Sequence, residues 1–94
     1  MRITIDDLEK RVKFLNRFTD NPTERFTKIN GEYFSNAGHY LISQQYGGYE
    51  LQQICNDGGG VDDVLGTGHI PKKELYYLIN AYIEGIRRAS KGLA

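Results

Sequence analysis

Two lysines stand at the start of the second predicted helix. In the stretch GHIPKKELYY, Pro71 is typical of the first helical position, and Lys72 and Lys73 follow it in the first turn. Two cations are electrostatically unfavourable there, because the backbone N–H groups of that turn already form a positive end. Together with Gly66 and Gly68 on the approach, the lysines would make a site for a phosphate or carboxylate. The alternative is that they are merely tolerated, since each mismatch costs only about 0.3 to 1 kcal/mol and is screened by salt.

A tyrosine on the same helix is a second candidate for binding. The chain holds seven tyrosines and no tryptophan, and tyrosine is a common rigid anchor in protein interfaces. Tyr77 falls about 180° from the centre of the helix's apolar stripe, one turn after Lys73, so we expect it to face solvent. It is either a contact for a partner or a lone exposed aromatic side chain, which is common on protein surfaces.

The stretch NDGGGVDDVLGTGH, residues 56–69, has the composition of a flexible loop. Its three consecutive glycines invite comparison with a phosphate-binding loop, but no Gly-Lys-Ser/Thr follows them and the neighbouring aspartates repel anions. The alternating acids of a calcium loop are missing, and one histidine is too few for zinc. The loop therefore predicts no metal site and no cofactor, and we expect Val61, Val64 and Leu65 to attach it to the core.

Nucleophilic chemistry would have to use the single cysteine. Cys55 with His39 or His69 is a conceivable pair. The strand register predicted below places Cys55 on the packed face of a sheet and His39 on the other, which favours a small core cysteine. No complete set of nucleophile, base and oxyanion donors results, so the sequence predicts no enzymatic activity.

Composition is that of one small folded domain. The chain has 94 residues, 39% of them hydrophobic, and 12 basic side chains balance 12 acidic ones, so no global charge attracts nucleic acid or an anionic membrane. A single cysteine excludes an intrachain disulfide and fits a reducing compartment. The first residues lack the apolar region of a signal peptide, and no run of about 18 apolar residues occurs. We expect a cytoplasmic protein with no membrane partner.

Two helices bracket the chain. Thr4 and Asp7 form a capping-box pattern, after which apolar residues recur at helical spacing and predict a helix from about Ile5 to Phe18. A second helix is predicted from Pro71, with its apolar stripe made by Leu75, Leu78, Ile79, Tyr82, Ile83 and Ile86.

Two turn signals predict the strands between the helices. Asn30-Gly31 is a hairpin signal, and a Gly47-Gly48 turn would place Tyr46 opposite Tyr49 and Tyr40 opposite Cys55. That register gives the sheet one apolar face and one wet face. The fold class is therefore α+β, in the order helix, antiparallel meander of three or four strands, helix, with both helices on one face of the sheet. We expect a single compact domain over residues 1–94, with 89–94 as a frayed tail.

Two resemblances add expectations of their own. The stretch GTGHIPKKE, residues 66–74, and the element order resemble the double-stranded-RNA-binding domain, whose second helix begins with a Gly-x-Gly-x-Ser-Lys-Lys-like sequence. In that family the paired lysines contact phosphates across a groove, which implies the same role for Lys72 and Lys73. Separately, the span from YGGYELQQICNDGGG through ELYYLINAYIEG resembles short uncharacterised proteins of gut bacteria and their phages, which implies a source and no functional residue.

The functional hypotheses follow from these patterns. The leading one is a small binding domain whose partner is a protein or a second copy of itself, held through the wet sheet face or an exposed strand edge. The alternative is a nucleic-acid-binding module centred on Lys72, Lys73 and Tyr77.

Overall fold

Over the part of the chain that the structure describes, the protein is an α+β domain with two helices and five strands. A computed structural model describes residues 2–92. Its elements are α1 (Ile5–Phe18), β1 (Phe26–Ile29), β2 (Glu32–Ser35), β3 (Tyr40–Gln45), β4 (Gly48–Ile54), β5 (Val61–Asp63) and α2 (Lys72–Gly92). The predicted fold class is confirmed, but the strands form two antiparallel sheets, β1-β2 and β3-β4-β5, instead of one meander of three or four. α2 runs through part of the predicted tail, and residues 93–94 lie outside the described range.

The first helix begins and ends where its sequence predicts. The Thr4 hydroxyl accepts a hydrogen bond from the backbone N–H of Asp7 at 3.2 Å, and the Thr4 N–H donates to the Asp7 carboxylate at 2.9 Å. Hydrogen bonds from the backbone and side chain of Thr4 hold the pKa of Asp7 below its ordinary value. Both helix-end donors are thus satisfied without help from the rest of the fold, which is why this boundary is readable from four residues.

The core lies between the two helices and one face of the larger sheet. Both helices contribute to it, as predicted, and Tyr40 donates to or accepts from Tyr82 of α2 through their hydroxyls at 2.9 Å. Burial raises the pKa of Tyr40, and the hydrogen bond to Tyr82 raises it further. The buried cluster comprises Ile3, Leu8, Val12, Leu15, Tyr40, Tyr49, Leu51, Leu75, Ile79 and Ile83. Leu78, at the margin of the predicted stripe, is instead exposed.

The turn between β3 and β4 differs from the predicted one by one residue. Tyr46 and Gly47 occupy it with φ of 52° and 77°, so that Gln45 pairs with Gly48. Gly48 is needed for a different reason, because a Cβ there would lie 2.9 Å from the carbonyl carbon of His69. Every pair is shifted by two residues, and a shift of two keeps each side chain on its predicted face. Tyr40 accordingly faces Gln53 instead of Cys55.

The face of this sheet predicted to be wet is partly covered. Ile54 and Glu50 are only 2% and 8% exposed on it. Glu50 is covered because the chain after β5 returns beside β4 and brings His69 against it. The prediction for Cys55 is also wrong, since β4 ends at Ile54 and the thiol is exposed. Val64 and Leu65 pack on the core as expected, whereas Val61 is exposed.

Candidate functional site

The two lysines that open α2 occupy different environments. Lys72 is half-buried, and its Nζ lies 5.8 Å from the centre of the Tyr49 ring, within the range of a cation–π contact. Lys73 is exposed. One of the two cations therefore has a stabilising contact inside the protein that requires no anion.

The glycines expected to line an anion site already contact a carboxylate. Gly66 and Gly68 have φ of 68° and 65°, a conformation that glycine adopts without strain. Their N–H groups donate to the two oxygens of Asp63, at 3.0 Å for Gly66 and 2.9 Å for Gly68. An external phosphate that used these donors would have to displace Asp63. The sequence predicts that the aspartates of this loop repel anions and hold no metal, and it does not indicate that Asp63 itself binds these two N–H groups.

Tyr77 is 52% exposed, as expected from its position opposite the apolar stripe. Its ring meets that of Tyr76 edge to face, with centroids 5.8 Å apart. Tyr77 is thus available on the surface, and its role in binding stays a prediction.

The lysine pair can be tested by a charge-changing double variant. We expect Lys72→Gln with Lys73→Glu to stay within about 1 kcal/mol of the parent's free energy of unfolding, because relief of the dipole mismatch offsets the lost contact with Tyr49. We also expect the parent to show no gain in melting temperature with polyphosphate or duplex RNA. Lys13→Gln with Arg17→Glu removes the same charge from α1 and serves as the control. A parent stabilised by duplex RNA, with only the α2 variant insensitive, would establish the nucleic-acid hypothesis.

A second cluster joins side chains that sequence reasoning did not connect. Ser43 and Glu50 face each other across β3 and β4, and His69 reaches both. The Ser43 hydroxyl lies 3.0 Å from His69 Nε2, and a Glu50 carboxylate oxygen lies 3.2 Å from His69 Nδ1. Gln52 donates to the other Glu50 oxygen at 3.0 Å. Only the observed register pairs Ser43 with Glu50, so the predicted turn hid this cluster.

The hairpin β1-β2, called the arm below, is the most exposed part of the described chain. Its large apolar side chains, Phe26, Ile29, Tyr33 and Phe34, are between 37% and 68% exposed. Phe26 meets Tyr33 edge to face, and Lys28 lies over the Tyr33 ring. The radius of gyration of 14.0 Å exceeds the roughly 12 Å usual for this length, as expected for a domain with a projecting arm.

A groove of about 590 Å³ runs beside α1 and the edge of β3. Three bases and three acids line it, namely Lys10, Lys13, Arg17, Asp6, Glu9 and Glu24. Mixed charges of this kind favour no single ligand. His39, at the groove, is held by a 2.8 Å hydrogen bond between its Nδ1 and the carbonyl oxygen of Pro22.

Within residues 2–92 no three histidine, cysteine or acidic side chains come together in a way that would hold a metal ion. In the same part of the chain, neither helix has the length and apolar character needed to cross a membrane.

Comparison with known proteins found no matching family model, curated protein or solved structure. The resemblances to the double-stranded-RNA-binding domain and to gut bacterial and phage proteins therefore stay predictions.

Proposed function

We propose that this protein is a small self-associating binding domain whose arm pairs with the arm of a second copy. The observation that carries the proposal is a two-stranded sheet with exposed apolar side chains on both of its faces. A lone two-stranded hairpin is at best marginally stable in water, and three or more strands are usually needed. In the described structure β1 and β2 pair only with each other. A second arm would supply the missing strands.

The edge available for pairing is that of β1. The Ser35 N–H donates to the carbonyl oxygen of Asp57 at 3.2 Å, so the outer edge of β2 is occupied at one end. This bond also fixes the alternation of the ladder. Ser35 directs its backbone N–H and C=O away from β1, so its partner Phe26 directs its N–H and C=O away from β2. The direction alternates along a strand, and the backbone groups of Lys28, two residues later, therefore also point to the free edge of β1.

The partner chemistry follows from charge. From residue 24 to residue 35 the chain has two acids and two bases, Glu24, Glu32, Arg25 and Lys28. A neutral arm does not select a strongly charged partner, and two copies of it do not repel each other. An antiparallel pair of β1 strands centred on Thr27 would place Phe26 opposite Lys28 of the second copy. The two arms would then form one four-stranded sheet, and the dimer would be symmetric because each copy contributes the same edge.

A proline substitution tests this edge with little effect on the arm itself. Lys28→Pro removes an outward N–H, which the hairpin does not use, and proline is tolerated on edge strands. Lys28→Thr removes the same charge and keeps the N–H, so it is the matched control. We expect sedimentation from micromolar to millimolar concentration to give a monomer–dimer equilibrium for the parent and for Lys28→Thr, and only monomer for Lys28→Pro. A monomeric parent at millimolar concentration would refute the proposal, and a dimer that survives Lys28→Pro would refute pairing through β1.

A further inference from the structure

The geometry points to a nucleophile site at Ser43, His69 and Glu50, which would hydrolyse a carboxylic ester through an acyl-serine intermediate. This inference does not depend on the arm. It rests on two hydrogen-bond distances, on the burial of the acid and on the position of the serine at the edge of the sheet.

The order of the three groups is the one that activates a hydroxyl. The Glu50 carboxylate, 3.2 Å from Nδ1, favours the tautomer with its proton on Nδ1, in which Nε2 is an acceptor 3.0 Å from the serine oxygen. A serine, a base and an acid that orients the base can remove the hydroxyl proton as the oxygen attacks. Glu50 acts through His69 and is thus a positioning residue.

The surrounding structure holds the imidazole in place. The side chains of His69 and Glu50 are 19% and 11% exposed, so little water competes for the pair. Ile70, the next residue, exchanges two backbone hydrogen bonds with Tyr49, at 2.8 and 2.9 Å. Gly48 also lies close to the backbone of His69, so the segment that carries the imidazole is packed against the start of β4.

An oxyanion donor is available beside the serine. The Asn16 side chain forms hydrogen bonds with the N–H of Tyr40 at 2.7 Å and with its C=O at 3.1 Å, so both of these backbone groups point away from β4. Alternation along β3 directs the N–H of Gln44, the residue after Ser43, to the same outer edge. One oxyanion donor is typically worth a factor of about 10² to 10³ in rate. A site with a single such donor fits esters, whose leaving groups are good, and not amides.

The chemistry balances with water as the only other reactant. The Ser43 oxygen forms a bond to the ester carbonyl carbon while His69 Nε2 accepts the hydroxyl proton. The carbon–alkoxy bond then breaks, and the same proton passes to the departing alcohol. A water molecule, deprotonated by His69, attacks the acyl-serine, and the serine leaves with that proton to give a carboxylic acid.

The probe is p-nitrophenyl acetate, and a fluorophosphonate labels the nucleophile. We expect one fluorophosphonate per chain at Ser43, found by mass spectrometry, and hydrolysis of the ester that falls at least about 10²-fold in Ser43→Ala and in His69→Gln. Ser90→Ala, an exposed serine on α2, should keep both properties. Glu50→Gln should lower kcat with KM unchanged, which a purely structural loss would not produce.

Melting curves separate chemistry from folding. Ser43→Ala should unfold within a few degrees of the parent, so its lost activity would not reflect lost structure. A parent that takes up no fluorophosphonate and hydrolyses the ester no faster than Ser43→Ala would overturn the inference and leave the cluster as a structural hydrogen-bond chain. Equal labelling of Ser43 in the parent and in folded His69→Gln would overturn it as well.

Discussion

Ile54→Lys is expected to destabilise the protein by about 3 kcal/mol or more. Burying an aliphatic side chain contributes about 1.5 to 3 kcal/mol, and an unpaired ammonium in its place adds a desolvation cost. Ile54 is only 2% exposed, although the predicted strand register allotted it to a wet surface. Urea denaturation would measure the loss as a fall in the transition midpoint.

The neighbour of Ile54 across the sheet supplies a matched control. Val61 of β5 pairs with Ile54 but is 42% exposed. Val61→Lys introduces the same charge at the adjacent position, and its ammonium can reach water, so we expect a change below about 1 kcal/mol. Equal urea midpoints for the two variants would mean that Ile54 is open to solvent and would contradict its burial on this face of the sheet.

Asn16→Leu is expected to cost about 2 to 4 kcal/mol. The Asn16 amide accepts from the Tyr40 N–H at 2.7 Å and donates to the Tyr40 carbonyl at 3.1 Å, in a site where Asn16 is 2% exposed. Leucine has the same branched shape and the same number of side-chain heavy atoms but pairs with neither group, and each buried polar group left unpaired costs about 1 to 3 kcal/mol. The loss is again measured as a lower urea midpoint.

A leucine on the outside of the same helix is the control. Lys13→Leu keeps nearly the same helix propensity in an exposed position and should leave the free energy of unfolding within about 0.5 kcal/mol of the parent. If Asn16→Leu proved as stable as Lys13→Leu, the link between α1 and the edge of β3 would carry no stability, contrary to the geometry.

Local signals in the sequence were sufficient for both helices and for β1 to β4, whereas β5 forms within residues 56–69, which were predicted to be a flexible loop. The capping pair Thr4 and Asp7 defines the start of α1 within four residues, and Asn30-Gly31 defines the arm's turn, because both signals depend on hydrogen bonds or φ angles of adjacent residues. Hydrophobic spacing identified both helices, because residues three and four positions apart lie on the same face of a helix. The fold class followed from these elements and their order.

The sequence did not predict the strand register or the cluster around His69, because both depend on contacts between residues far apart in the chain. With adjacent glycines at 47 and 48, the Gly47-Gly48 turn is the better one locally, because the observed turn holds Tyr46 at a φ of 52°. Gly48 is needed instead where the backbone of His69 approaches it, a contact that the local sequence does not show. Choosing the wrong turn separated Ser43 from Glu50 and so hid the cluster around His69. Asn16 is a polar residue at an apolar position of α1, and a buried polar side chain needs a hydrogen-bond partner. This position therefore indicates a polar contact between α1 and another element, although the sequence does not identify Tyr40 as the partner.

Asp63 also decides how strongly any free anion can compete at the start of α2. Its carboxylate is tethered three and five residues from the two glycine N–H groups that it binds. A group held by so short a segment of chain acts at an effective concentration of about millimolar or higher. A phosphate at micromolar concentration would therefore be outcompeted by the protein's own side chain, and an incoming polyanion would have to gain contacts elsewhere, at Lys73 above all, to displace it.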